Sequence, residues 1–150
     1  MTTDARYVRG QAVVTGLVNA VINPLIEWSS RRGKGCQPLW GSEGAVVNLV
    51  VTSIVLSVLV AIITGYGAWR RPAARQVRPG WFTRLPGCSW RLGLLLGVGA
   101  AAGIVVAALL LGLLGLTCVG LTQMLVFKAV YCGLLGFAVA RWTILRQWAR

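Results

Sequence analysis

Polar side chains recur at every fourth position in an otherwise apolar stretch near the start of this chain. The members of this polar stripe are Gln11, Thr15, Asn19, Asn23 and Glu27. Because residues four apart share one face of an α-helix, the spacing predicts a stripe along a single helix. Pro24 adds a second feature, since its ring nitrogen cannot donate a hydrogen bond to the carbonyl of Ala20. These groups have the chemistry to bind a small polar solute.

Two hypotheses explain the stripe. In the first, Thr15, Asn19, Asn23 and Glu27 line a polar path or a small binding site. In the second, the stripe hydrogen-bonds to a neighbouring helix, as Asn, Ser and Thr commonly do between membrane helices. The next apolar stretch offers partners for this at Asn48, Thr52, Ser53, Ser57 and Thr64. The sequence leaves both hypotheses open.

Lys128 is the one charged side chain deep within the last apolar stretch. A cation in such a position is costly and is expected to be paired, either as a functional group for a substrate or proton, or as a structural ion pair. We predict an ion pair with Glu27. Helical side chains incline towards the N-terminus of their own helix. On two antiparallel helices, the side chains of Glu27 and Lys128 therefore incline towards each other along the membrane normal.

The composition indicates an integral membrane protein. Of 150 residues, 57% are hydrophobic and 12% are charged. The run 92–116 contains no charge, and a helix crossing a bilayer needs about 20 such residues. The net charge of +12 would also suit nucleic-acid binding, but the arginines form short clusters between apolar runs, which is the pattern of membrane topology.

The sequence therefore predicts an all-α, single-domain bundle spanning residues 1–150. The predicted transmembrane helices cover about residues 10–28, 45–69, 92–116 and 120–140. Segment 29–44 is rich in Gly and Pro and is expected to contain neither helix nor strand. The tail from Arg141 is expected to form a surface helix, and the two halves show no convincing sequence repeat.

Lys and Arg counts predict the orientation. The N-terminal tail, the 70–91 loop and the C-terminal tail together hold 11 of these residues, whereas the other two loops hold 3. The positive-inside rule then places both termini in the cytoplasm, and the tryptophans near the predicted helix ends agree with this topology.

The basic loop is expected to lie on the membrane surface. Its predicted lipid-facing residues are Arg70, Arg71, Arg75, Arg78, Arg84, Trp81 and Trp90. Such clusters attract anionic lipid headgroups, although a simple role in fixing the topology explains them equally well.

Two further features concern assembly. The predicted topology places Cys36 and Cys118 on the outer side, where they either form a disulfide or remain unrelated thiols. The third helix has two faces of small residues, which allow close helix packing within the bundle or with a second copy. These faces are Gly93, Gly97 and Ala101 on one side, and Gly99, Gly103 and Ala107 on the other.

The segments NAVINPLIEW, PLWG and FKAVYCGLLGFAV resemble those of small, uncharacterised four-helix bacterial membrane proteins, some of them described as permease-like. The resemblance implies a multi-pass protein of the bacterial inner (plasma) membrane and implies no established activity. The small multidrug transporters also have four helices and a carboxylate in the first, but Glu27 lies near the opposite end of that helix, so no role is carried over.

The sequence supports two functions. One is permease-like transport of a small solute along the stripe, and the other is a non-transporting accessory or scaffold subunit of a membrane complex. An oligomer is expected in either case. No enzyme activity, metal or cofactor is predicted, because the chain lacks histidine and shows no nucleophile–base pair.

Overall fold

The computed structural model describes residues 3–33, 35–70 and 86–148. They form four long helices, each long and apolar enough to cross a membrane, so the expected all-α architecture with four such helices is confirmed. The elements are α1 (Thr3–Arg31), β1 (Gln37–Pro38), α2 (Ala45–Trp69), α3 (Ser89–Leu113), β2 (Cys118–Val119) and α4 (Leu121–Gln147).

The helix bounds agree with prediction for α2 and differ for the other three helices. α1 extends beyond both predicted ends and continues through Pro24. Its added N-terminal turns are packed, since Val8 forms a hydrophobic cluster with Ala68 and Ile144. α3 ends at Leu113, three residues early, because Gly115 adopts a φ of +83° that turns the backbone out of the helix.

The C-terminal tail continues as a helix, as predicted, but it does not lie on the surface, so that part of the prediction was wrong. α4 continues without interruption to Gln147, and Ile144 is 0% exposed. The physical reason is that Ile144 packs with Val8 and Ala68, which covers the apolar side of the last two turns.

The prediction that segment 29–44 lacks helix and strand was also wrong. α1 continues to Arg31, and β1 pairs with β2 in antiparallel register, with Gln37 opposite Val119 and Pro38 opposite Cys118. The Leu39 amide extends this contact by donating a hydrogen bond to the Thr117 carbonyl at 2.9 Å. The two loops at this end are therefore joined to each other.

α2 and α4 pack together in the centre, while α1 packs on α4 and α3 packs on α2. Glycine permits the close approach of α1 and α4, because a Cβ at Gly133 would lie only 3.1 Å from the Ala20 Cβ. The Gly93 and Gly97 face of α3 lies against α2 in the same manner, whereas Cβ atoms built at Gly99 would meet no atom within 4 Å. One of the two predicted small faces is therefore used within the chain.

The two halves have the same order of elements, namely helix, short strand, helix. The first helix of each half packs on the second helix of the other half, and the two short strands pair across the halves. This structural correspondence was not expected from the sequence, which shows no convincing repeat between the halves.

Candidate functional site

The most polar part of the interior is a charge network formed by Glu27, Arg31, Asn48 and Lys128. Glu27 lies near the end of α1 and is 2% exposed. Its Oε2 accepts a hydrogen bond from Lys128 Nζ of α4 at 2.5 Å, and its Oε1 lies 2.8 Å from Arg31 Nε, one turn further along α1. The Glu27 carboxylate therefore forms ion pairs with two cations.

Asn48 brings α2 into the charge network. Its Nδ2 donates to Glu27 Oε2 at 3.0 Å and to Oε1 at 3.3 Å, and its Oδ1 accepts from Lys128 Nζ at 2.7 Å. Thr52, one turn along α2, donates its hydroxyl to the same Oδ1 at 3.3 Å. The network therefore connects three helices and leaves both Glu27 oxygens with two partners each.

The structure contains the ion pair that the sequence predicted between Glu27 and Lys128. Lys128 is 4% exposed and lies on an antiparallel helix, so the expected inclination of the two side chains towards each other is present. One member was missed, and another was predicted only as one of several partners for the stripe. Arg31 had been assigned to a loop, although its spacing of four from Glu27 was a usable signal, and Asn48 was only one of five polar candidates on α2.

The charge network carries a surplus of positive charge, because Arg31 and Lys128 share the single carboxylate of Glu27. The nearby Glu43 contributes its backbone carbonyl, which accepts from Arg31 Nη2 at 2.9 Å and from Gln37 Nε2 at 3.0 Å. These contacts fold the loop after α1 back onto the network. The network is thus positioned by α1, α2, α4 and this loop together.

Cys36 and Cys118 are joined in a disulfide, with their Cα atoms 5.9 Å apart. Of the two alternatives that the sequence left open, the structure has the bridge. It lies beside the β1–β2 pair and therefore ties the loop after α1 to the loop after α3. Cys88 and Cys132 are free thiols, exposed and buried respectively.

The rest of the stripe lines a groove between α1 and α2, which is open to the side of the molecule. This α1–α2 groove has a volume of about 550 Å³ and mostly apolar walls. Its polar lining consists of Thr15, Asn19, Asn23, Thr52 and Thr64. Gln11, the first stripe residue, is half-buried and lies outside this lining.

Within the groove, the stripe makes hydrogen bonds only along its own helix in the described part of the chain. Asn19 Nδ2 donates to the Thr15 carbonyl at 2.8 Å, and Asn23 Nδ2 donates to the carbonyl and Oδ1 of Asn19 at 3.1 and 3.3 Å. Asn23 Oδ1 has no hydrogen-bond partner among the described residues. The expected bonding between stripe and α2 is thus limited to the contact of Glu27 with Asn48.

The other polar residues of α2 are engaged elsewhere or face away from the stripe. Ser53 shares a 2.5 Å hydrogen bond with the Tyr131 hydroxyl of α4, and Thr64 donates to the Val60 carbonyl at 2.6 Å. Ser57 is fully buried beside the glycine face of α3, and its hydroxyl has no partner among the described residues.

Two of the predicted lipid-surface residues are described. Arg70 and Trp90 are exposed at the ends of α2 and α3 that lie away from the charge network. Arg70 stacks on Tyr66 at 4.4 Å from the ring centroid, and Arg91 stacks on Trp90 at 5.3 Å. The remaining predicted residues, Arg71, Arg75, Arg78, Trp81 and Arg84, lie outside the described residues.

No protein-family model, curated protein or solved structure matches this chain. The resemblance to small bacterial membrane proteins therefore remains a prediction from the sequence. What the geometry offers is a hydrogen-bonded charge network at one end of the bundle and, next to it, an open groove whose polar groups are incompletely paired.

Proposed function

We propose that this chain is a multi-pass protein of the bacterial inner membrane that binds a transmembrane helix of a partner in the α1–α2 groove. It would act as a non-transporting accessory subunit. Four helices of suitable length and hydropathy support four crossings, and the clustering of Lys and Arg supports cytoplasmic termini.

The observation that carries the proposal is the position of Asn23 in an open lateral groove, with the Asn19 side chain beside it against Gly136 of α4. In a bilayer, the groove would expose the Asn23 amide to acyl chains, where an unpaired polar group costs several kcal/mol. Amide side chains facing outwards from a membrane helix commonly pair with another helix. A helix in the groove would supply both the missing partners and the apolar cover.

The dimensions of the groove agree with such an occupant. Its α2 wall extends from Val51 to Thr64, which is about 20 Å at 1.5 Å per residue. The hydrocarbon core of a bilayer is about 30 Å thick, so the groove covers most of that depth. A small solute would need one localised site, whereas a long groove with polar groups one turn apart suits a helix.

Permease-like transport along the stripe is the second candidate. The volume of about 550 Å³ and the row of amide groups favour it, since these features suit a small polar solute. Transport would require a second protein surface to close the groove into a path. It would also require movement at Glu27, which is 2% exposed and is held at the outer end of the stripe by three hydrogen bonds and an ion pair with Arg31.

Site-specific accessibility distinguishes the two functions without knowledge of a substrate. The free thiols are first removed by Cys88→Ser and Cys132→Ala, and Asn19→Cys is then compared with Val21→Cys in native membranes. Val21 is an exposed control at similar depth that does not line the groove. A bound helix would protect Asn19→Cys from membrane-impermeant maleimides, whereas rapid labelling of Asn19→Cys alone would reveal a water-filled path and refute the proposed function.

A photo-crosslinking residue at the same two positions completes the test. Helix binding predicts a discrete adduct from position 19 and none from position 21. Adducts with lipid alone at both positions would contradict a helix in the groove.

A further inference from the structure

We propose that the helix in the α1–α2 groove is α1 of a second copy of this chain. The two copies would form a two-fold dimer whose axis is parallel to the membrane normal, and each copy would fill the groove of the other. This inference rests on the proposed function, since it names the partner for the same groove.

Depth is the first argument for a second copy. Identical chains with the same topology place every residue at the same depth, so Asn19 and Asn23 of one copy meet their counterparts across a two-fold axis along the normal. Such an interface uses the same surface on both copies and closes on itself without forming a chain of subunits.

Hydrogen-bonding capacity is the second argument. A carboxamide has two N–H donors and one acceptor oxygen. Asn19 uses one donor on the Thr15 carbonyl, and Asn23 Oδ1 has no partner among the described residues. Asn19 Nδ2 packs against Gly136 of α4, so the unpaired group that the two asparagines present in the groove is the acceptor at Asn23. A polar side chain of a second stripe at the same depth would pair with it, whereas a purely apolar helix would leave it unpaired.

Charge and shape agree with this arrangement. No charged residue occurs in α1 between Gln11 and Ile26, so two such helices do not repel each other along the groove. Val18 and Ile22 are exposed and line the groove beside the asparagines. They form the apolar ridge that would enter the groove of the second copy.

The open glycine face of α3, at Gly99 and Gly103, does not match the stripe. Gly97 of α3 packs beside Ser53, so Gly99 and Gly103 lie further towards the end of the bundle that holds the charge network. Asn23 lies near the Ser53 level and Asn19 lies beyond it, away from the network, because α1 leaves the network at Glu27, beside Asn48. The two glycines of α3 and the two asparagines of α1 thus differ in depth by about one helical turn, or about 5 Å. This difference disfavours α3 as the helix that occupies the groove.

Oxidative cross-linking in native membranes tests the proposal. In the Cys88→Ser, Cys132→Ala background, the groove variant Ile22→Cys is compared with Val21→Cys, which is exposed but does not line the groove. We expect copper phenanthroline to shift Ile22→Cys to a band of twice the monomer mass and to leave Val21→Cys monomeric. Adding Asn19→Val and Asn23→Val should reduce the dimer band, because the polar pairing is removed.

Each alternative outcome contradicts a defined part of the inference. Equal dimer formation by Ile22→Cys and Val21→Cys indicates random collision and overturns the dimer. A cross-link from Ile22→Cys to a different membrane protein overturns the second copy and leaves the helix-binding function in place. If Ile22→Cys forms no cross-link and reacts readily with a water-soluble maleimide, the dimer and the helix-binding function both fail.

Discussion

Replacing Glu27 with Gln should destabilise the fold more than replacing Lys128 with Met. Without the carboxylate, Lys128 is a cation of 4% exposure that retains Asn48 Oδ1 at 2.7 Å and faces the charge of Arg31. A buried charge left without its partner typically costs about 3–5 kcal/mol. We expect Glu27→Gln to lower the free energy of unfolding by about that amount.

Lys128→Met should have a smaller effect because Glu27 is not left alone. The carboxylate keeps Arg31 Nε at 2.8 Å and both contacts from Asn48. The loss then resembles that of one hydrogen bond to a charged group, about 1.5–3 kcal/mol. The double variant removes the stranded cation, so we expect it to be more stable than Glu27→Gln alone.

The measurement is a double-mutant cycle on unfolding by SDS in mixed micelles, followed by tryptophan fluorescence. Glu43→Gln is the matched control, since Glu43 is an exposed acidic residue in the loop beside the network, and the contacts described for it use its backbone carbonyl. Independent sites add to within about 0.3–0.5 kcal/mol. A coupling energy below that limit would refute a stabilising ion pair and favour Lys128 as a functional site. A larger loss from Lys128→Met than from Glu27→Gln would refute the asymmetry.

Two further predictions use the same preparation, and a third uses intact cells. Cys118→Ser should lower the free energy of unfolding by as much as about 4 kcal/mol, because the bridge closes a loop with a sequence separation of 82; unchanged stability would mean that the β1–β2 pair alone holds the loops. Gly133→Leu should lower the free energy of unfolding by about 1–3 kcal/mol, because it forces α1 away from α4 at Ala20. Gly99→Leu, whose side chain meets open space, should be tolerated. Equal losses in the two variants would contradict the described packing. A cysteine at exposed Ser42 should be labelled by an impermeant maleimide from outside intact cells, while a C-terminal reporter should be active only in the cytoplasm; the reverse pattern would overturn the topology.

The sequence predicted helices well where charge and glycine bounded an apolar run. α2 begins after Gly44 and ends before Arg70, so its predicted and observed bounds coincide. α3 was misplaced because Leu114 and Leu116 are as apolar as the helix before them. Hydropathy does not report where the backbone turns, and the turn occurs at Gly115.

The charge network was predictable in part for a similar reason. Few charges occur in the apolar helices, so Glu27 and Lys128 were the evident pair. Their neighbours were not evident, because membership of Asn48 depends on the rotation of α2 about its axis. α1 packs on α4 and leaves a groove towards α2 because the glycines of α4 allow a close approach. The sequence contains several other glycine patterns that could allow the same close packing, so this choice was not predictable.

The way α1 is held explains why a groove exists between consecutive helices. α1 packs along α4, through Gly16 against the Gly133 backbone and Asn19 against Gly136. It approaches α2 at the network end through the hydrogen bonds of Glu27 with Asn48, and it joins α2 at the other end through the hydrophobic cluster of Val8, Ala68 and Ile144. These two sets of contacts flank the groove at its ends, and between them the groove is open at the side. A solute moving along the stripe would have to break one of these sets of contacts, whereas a helix entering from the membrane would break neither, which is why helix binding explains the geometry with fewer changes than transport does.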